Sequence, residues 1–182
     1  FDFYGKFLTG KKERKSKWKR SIEFVTDHVG EVISKKYVEL YFPLKCKNFM
    51  IQIVKNLKAA YRNRIKKVEW MEKKTKDKAL SKLKKMNYKV GYPDKFKDYT
   101  KINISSEKSL LDNVLAVNKF EYEYDMSFLY GEPDPSEWEM KAYDINAYFH
   151  PLKNEIVFPA GILQEPFFSL KLSLPQIYGG IG

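Results

Sequence analysis

The spacing of apolar residues predicts four helices over the first 130 positions. The first follows Ser16, a suitable N-cap, and ends near Pro43, because the residue before a proline is disfavoured in helical conformation. Its apolar side chains recur at intervals of three and four residues: Trp18, Ile22, Val25, Val29, Val32, Ile33 and Tyr37. The same spacing predicts helices over about 46–67, 74–86 and 106–130, and lysines occupy the solvent faces of the first two of these.

The pattern changes after Trp138 and predicts a β-hairpin. Two short aromatic and β-branched segments, 145–149 and 155–158, are separated by a turn that begins with Pro151. The fold class is therefore α+β, with a mainly helical first part. An isolated hairpin is marginal in water, so we expect partner strands from outside this chain.

Asn146 lies at the start of the first predicted strand. Its amide can both donate to and accept from the backbone of an extended peptide, which could add to the strand's open edge. The pattern alone favours a purely structural hairpin, because strand edges are common and peptide-binding edges are rare.

The charge is unevenly distributed along the chain. Residues 1–100 contain 28 Lys and Arg against 11 Asp and Glu, whereas residues 101–182 contain 6 against 12. A basic half of this size makes nucleic acid or an anionic membrane surface a candidate partner. However, only four of the 34 basic residues are arginines, the type that best reads phosphates and bases. Solvated helix faces are favoured and no nucleic-acid partner is expected, although a basic nucleic-acid-binding module remains an alternative.

The sequence contains no recognisable catalytic apparatus. Its only histidines are His28 and His150, and Cys46 is its only cysteine. There is no His-Glu-x-x-His pair, no Gly-x-Ser-x-Gly elbow and no phosphate-binding Gly-Lys-Ser/Thr loop. We therefore predict no catalytic and no metal-binding residue in this chain. No segment resembles a targeting signal or a membrane span, so the compartment stays open between cytoplasmic and cell-envelope or secreted, and a membrane association stays open too.

Several motifs resemble the neprilysin family of zinc metallopeptidases, which includes neprilysin, the endothelin-converting enzymes and the bacterial oligopeptidases O. The most specific are Asn-Ala-Tyr-Phe at 146–149, Asn-Glu-Ile-Val-Phe-Pro-Ala-Gly-Ile-Leu-Gln at 154–164, Pro-Phe-Phe at 166–168 and Tyr-Gly-Gly-Ile-Gly at 178–182. Upstream, segments 37–43, 70–71, 78–80 and 91–94 are similar to the family in the same order. With a single cysteine, the chain resembles the bacterial members more than the disulfide-rich vertebrate ones.

The resemblance implies a substrate-binding role for four residues. Asn146 would hold the peptide through its side-chain amide, and Ala147 through its backbone carbonyl. Ile162 and Phe167 would line the apolar S1′ pocket, so that peptides are cut before hydrophobic residues.

The resemblance also implies what the chain lacks. The zinc ligands and the catalytic Glu are expected a few residues beyond Gly182, on a His-Glu-x-x-His helix. Residues 1–91 would belong to a helical domain that covers the cleft, and 92–182 would begin a thermolysin-like catalytic domain. The expected partners are a peptide substrate and the remainder of the peptidase chain; a non-catalytic peptide-binding homologue is the alternative.

Overall fold

The computed structural model of the protein describes residues 1–129, 131–132 and 134–182. The chain forms two compact units, one from residues 1–33 and 98–133 and the other from residues 34–97 and 134–182. The first unit contains a π-helical turn at Asp2–Leu8, the beginning of helix α1 (Lys17–Tyr41), a 3₁₀ turn at Tyr99–Lys101 and helix α4 (Leu110–Ser127).

The interior of the first unit is aromatic. The rings of Tyr99, Phe120, Tyr124 and Phe128 contact one another in turn beside α4, with neighbouring ring centroids 5.0–6.4 Å apart. The Tyr99 hydroxyl also donates a short hydrogen bond to Glu121. Burial, reinforced by this carboxylate, raises the pKa of the Tyr99 phenol far above its ordinary value.

The second unit contains the remainder of α1, helices α2 (Leu44–Lys67), α3 (Lys73–Lys85) and α5 (Leu174–Gly180), and a three-stranded sheet. The strands are β1 (Asn87–Gly91), β2 (Tyr148–His150) and β3 (Glu155–Pro159). Their order is β1-β3-β2, with β3 parallel to β1 and antiparallel to β2.

The core of the second unit joins the end of α1, α2, the sheet and the segment after β3. Its buried apolar residues come from these elements and, through Ala142, from the segment before β2: Val38, Phe42, Met50, Ile53, Val54, Val90, Ala142, Phe158, Ala160, Leu163, Phe168 and Ile177. A buried ion pair connects the two parallel strands, because the Lys89 ammonium lies 2.8 Å from the Glu155 carboxylate. Lys89 also donates to the Glu137 carbonyl oxygen, which provides the further hydrogen bond that a buried ammonium requires.

The α+β class and the four helices are confirmed. α1 begins directly after Ser16, and α4 begins at Leu110, with the Ser109 hydroxyl accepting from the Asp112 N–H. The predicted helix end at Tyr130 and the following Pro133 lie outside the described residues. The expectation that partner strands come only from outside the chain is wrong, because β1 pairs along the whole of β3.

The apolar face predicted for the first helix is only partly buried. Trp18 and Ile22 are 61% and 54% exposed, whereas Val38 and Phe42 near the end of α1 are buried. The helical conformation is also interrupted at Val29, whose φ and ψ are −127° and 37°. Periodicity thus identified the helix correctly but not the part of it that enters the core.

Among the described residues, none of the helices combines the length and the apolar character that crossing a membrane requires.

Candidate functional site

The hydrogen bonds of β3 determine which groups of β2 are free. The Ala160 N–H donates to the Gly91 carbonyl (2.8 Å), and the Asn154 carbonyl accepts from the Asn87 N–H (2.9 Å). Because the main-chain groups of a strand point alternately to its two sides, the even-numbered residues of β3 face β1. Glu155 and Val157 therefore face β2, where the pairing register sets them opposite His150 and Tyr148.

The outer edge of β2 consequently carries the main-chain groups of Phe149. By the same alternation, Ala147, which directly precedes β2, also points its N–H and carbonyl away from β3. The Ala147 N–H donates to its neighbour, the Asn146 Oδ1 atom, at 2.8 Å. Within the described residues, the Ala147 carbonyl and both main-chain groups of Phe149 have no hydrogen-bond partner and no strand covers this edge.

Asn146 is exposed at the beginning of this edge. With Oδ1 occupied by the Ala147 N–H, its Nδ2 group is a donor without an acceptor among the described residues. The sequence predicted that Asn146 and Ala147 lie inside the first strand. In the structure they directly precede β2. Together they offer one side-chain donor and one backbone acceptor to an incoming chain.

The segment leading to Asn146 is held from several sides. The Ala142 N–H donates to the buried Ser34 hydroxyl (3.1 Å), and the Ala142 carbonyl accepts from the Gly161 N–H (2.8 Å). Gly161 lies so close to this segment that a Cβ atom there would be 2.2 Å from the Tyr143 carbonyl oxygen and 2.5 Å from that of Asp144. Only glycine permits this approach, which fixes the position of the residues before Asn146.

The side chains of Tyr148 and His150 are engaged by the hairpin itself. The Tyr148 hydroxyl accepts from the Glu139 N–H (3.3 Å), and burial raises the pKa of its phenol. His150 Nδ1 accepts from the Lys153 N–H (3.1 Å), while its Nε2 lies 3.3 Å from the Glu139 carboxylate. A ring that accepts at Nδ1 carries its proton at Nε2. His150 therefore stabilises the hairpin end.

Ile162 and Phe167 lie on the segment that follows β3. Ile162, directly after Gly161, is half-buried against the core, and the Phe167 ring is 41% exposed. The Phe167 N–H donates to the Gln164 carbonyl (2.9 Å), and the Phe167 carbonyl packs against Gly180 of α5. Gly161 connects Ile162 with the Asn146 segment, whereas no described cavity is lined by both Ile162 and Phe167.

A separate cleft in the same unit is lined by residues of α1, α2 and the segment after β3: Tyr41, Phe42, Cys46, Leu163, Gln164, Glu165, Phe168, Ser169, Leu170 and Lys171. Burial raises the pKa of the Cys46 thiol, which disfavours the reactive thiolate.

No set of three His, Cys, Asp or Glu side chains that could hold a metal occurs in the described ranges. His28 contacts the Phe24 carbonyl through Nδ1 at 2.7 Å and stacks on the Phe24 ring, as a structural histidine does. The described residues therefore do not fit a zinc site.

Two comparisons place the chain among known proteins. Family models described as peptidase family M13 match residues 1–93 and 146–182. The neutral endopeptidase of Lactococcus lactis is 35% identical over 186 residues, covering 98% of this chain and 28% of that protein. Human neprilysin is 29% identical over 187 residues, with 98% and 25% covered.

A third comparison concerns solved structures. The zinc metalloprotease Zmp1 of Mycobacterium tuberculosis in its open state is 41% identical, with a TM-score of 0.93 over 100% of this chain and 28% of that chain. PepO from Lactobacillus rhamnosis is 32% identical, with a TM-score of 0.88 over 100% of this chain and 29% of that chain. The chain thus spans about a quarter to a third of the length of the proteins that it matches.

Proposed function

Because the chain belongs to peptidase family M13, we propose that it is part of a zinc metalloendopeptidase and supplies the contacts that hold the substrate peptide. The observation that carries this proposal is the uncovered outer edge of β2, which begins at Asn146 and Ala147. An extended peptide can add to such an edge as a further strand. Its main-chain groups would then pair with those of Ala147 and Phe149.

Each group on this edge has one role towards the peptide. The Ala147 carbonyl accepts from a peptide N–H, and the Phe149 N–H and carbonyl pair with one further peptide residue. The Asn146 Nδ2 donates to a peptide carbonyl at the other end of the edge. These hydrogen bonds involve the main chain of the peptide and not its side chains. They can therefore position a peptide of almost any sequence.

Side-chain selection is assigned to Ile162 and Phe167, as walls of an S1′ pocket that accepts a hydrophobic residue. Support comes from their position on the segment that follows β3 and from the partial exposure of Phe167. An apolar wall favours large hydrophobic side chains because their surface leaves water on binding. Cleavage is therefore expected before hydrophobic residues.

In the complete peptidase, a zinc ion would supply Lewis-acid chemistry for cleavage, while the residues of this chain would hold and orient the peptide. Relatives are named zinc metalloproteases, and the described residues supply none of the ligands. We assign residues 92–182 to the start of the catalytic domain and residues 1–91 to a helical domain that covers the cleft. The zinc ligands are then expected in the sequence encoded after Gly182, on a His-Glu-x-x-His helix.

Replacing Asn146 with Ala in the complete protein is expected to lower kcat/KM for a peptide about three- to tenfold, the effect of one lost hydrogen bond. The zinc content, measured by atomic emission, is expected to stay unchanged, since Asn146 is not a ligand. Asn48→Ala is a matched control, because Asn48 is an exposed asparagine on α2. Equal kcat/KM for N146A, N48A and the unaltered protein would contradict the role of Asn146.

A further inference from the structure

One face of α3 is a row of lysines. The helix contains seven lysines and one acidic residue, Asp77. Four of the lysines are spaced by four, four and three residues and therefore share a face: Lys74, Lys78, Lys82 and Lys85. The half-buried Ala79, Leu80 and Leu83 lie on the opposite side of the helix.

The positive charge of this lysine face is not neutralised by the described residues. None of the ion pairs in the described ranges includes a lysine of α3. Like charges at a spacing of four residues disfavour the helix that carries them. A row of lysines attracts negatively charged groups. Which ligand it binds depends on where the row lies relative to the candidate site.

Lys82 connects the lysine face to β2. Its ammonium lies 5.8 Å from the centre of the Phe149 ring, and its carbonyl accepts from the Asn154 amide at 3.0 Å. Phe149 is the residue whose main-chain groups point to the open edge. The same residue thus contacts Lys82 through its side chain and faces the proposed peptide through its backbone.

A peptide strand added at this edge would lie about 4.8 Å from β2. The peptide residue directly opposite Phe149 projects its side chain to the same face of the sheet as the Phe149 ring, because paired residues share a face. That is the face on which the Lys82 ammonium lies. A carboxylate there is within reach of the flexible lysine side chain.

We propose that Lys82, supported by Lys78 and Lys74, forms a subsite for an acidic side chain of the substrate at the position opposite Phe149. This inference rests on the proposed function, since it requires a peptide along β2. The substrates are then peptides that combine a hydrophobic residue after the cleaved bond with an Asp or Glu at one fixed distance from it. The preference is electrostatic and decreases with added salt.

The test uses the complete zinc-loaded protein and a set of fluorogenic peptides in which a single Glu or Gln is moved along the sequence. At one position, kcat/KM is expected to be about two- to fivefold higher for Glu than for Gln, the range for a partly exposed ion pair. Lys82→Gln is expected to bring this ratio to one, because the ammonium that favours Glu over Gln is removed. Lys84→Gln is the matched control, because Lys84 lies two residues along the same helix and points to the other side.

Each result decides the matter. A Glu preference that is lost in K82Q and kept in K84Q supports the subsite. A ratio of one at every position, in an enzyme whose cleavage is impaired by N146A, overturns the subsite and leaves the peptide-binding edge intact. An equal loss of preference in K82Q and K84Q shows a general anion-binding surface and overturns the subsite too. Equally weakened binding of both variants to phosphatidylserine vesicles, without any Glu preference, has the same meaning. If neither Asn146→Ala nor Phe149→Pro affects cleavage, the peptide-binding edge of the proposed function fails and the subsite fails with it.

Discussion

Replacing Phe149 with Pro in the complete protein is expected to lower kcat/KM for a peptide about 30-fold relative to Phe149→Ala, because a peptide carbonyl is left without its donor. Proline has no N–H, and its ring occupies the space where the peptide carbonyl would lie. The Phe149 N–H points away from β3, so the hydrogen bonds within the sheet stay intact. Steady-state kinetics on both variants measure the difference.

Phe149→Ala is the matched control because both variants lose the ring and only one loses the N–H. The two variants are expected to unfold at similar urea concentrations, since Tyr148 and His150 make the bonds to β3. If F149P and F149A turn over peptides equally, the backbone of Phe149 does not hold the substrate.

Replacing Gly161 with Ala is expected to lower the free energy of unfolding by about 3 kcal/mol, the cost of an overpacked site. The added methyl group would lie 2.2 Å from the Tyr143 carbonyl oxygen. A backbone atom cannot rotate aside as a side chain can, so the segment leading to Asn146 must move. Urea unfolding of the complete protein measures the loss, and kcat/KM is expected to fall as well.

Gly179→Ala serves as the control for this change. Gly179 lies in α5, and a Cβ atom there meets no other atom within 4 Å. Alanine favours helix over glycine, so G179A is expected to leave the stability unchanged or raise it by up to about 1 kcal/mol. Equal stability of G161A and G179A would show that Gly161 does not fix the site segment.

Local periodicity was sufficient to predict the four long helices, α1 to α4. α2 and α3 were predicted to within two residues because each carries a continuous apolar face bounded by lysines. Strand β1 was missed because its conformation depends on β3, which is 68 positions away. Lys89 also interrupts its apolar pattern, and this lysine is tolerated in the sheet because Glu155 pairs with it. Helix α5 was missed as well, since seven residues give too short a pattern for periodicity to detect.

The candidate site was predicted in part. The resemblance of segment 146–149 to a known family named Asn146 and Ala147, whereas pattern alone favoured a structural hairpin. The contribution of Phe149 could not be predicted, because it follows from the register of β1 against β3. The close approach of Gly161 to Tyr143 could not be predicted either, because it is a tertiary contact without a local signal. The substrate-binding roles of all four residues, Asn146, Ala147, Ile162 and Phe167, stay predictions.

The outer edge of β2 can be tested residue by residue through amide hydrogen exchange of the complete protein. In the free protein the Phe149 amide should exchange rapidly, while the amides of Tyr148 and His150, bonded to β3, are protected. Adding an uncleaved peptide analogue should slow exchange at Phe149 and leave its two neighbours unchanged. Unchanged exchange at Phe149 with the analogue bound would contradict a peptide-binding role for this edge.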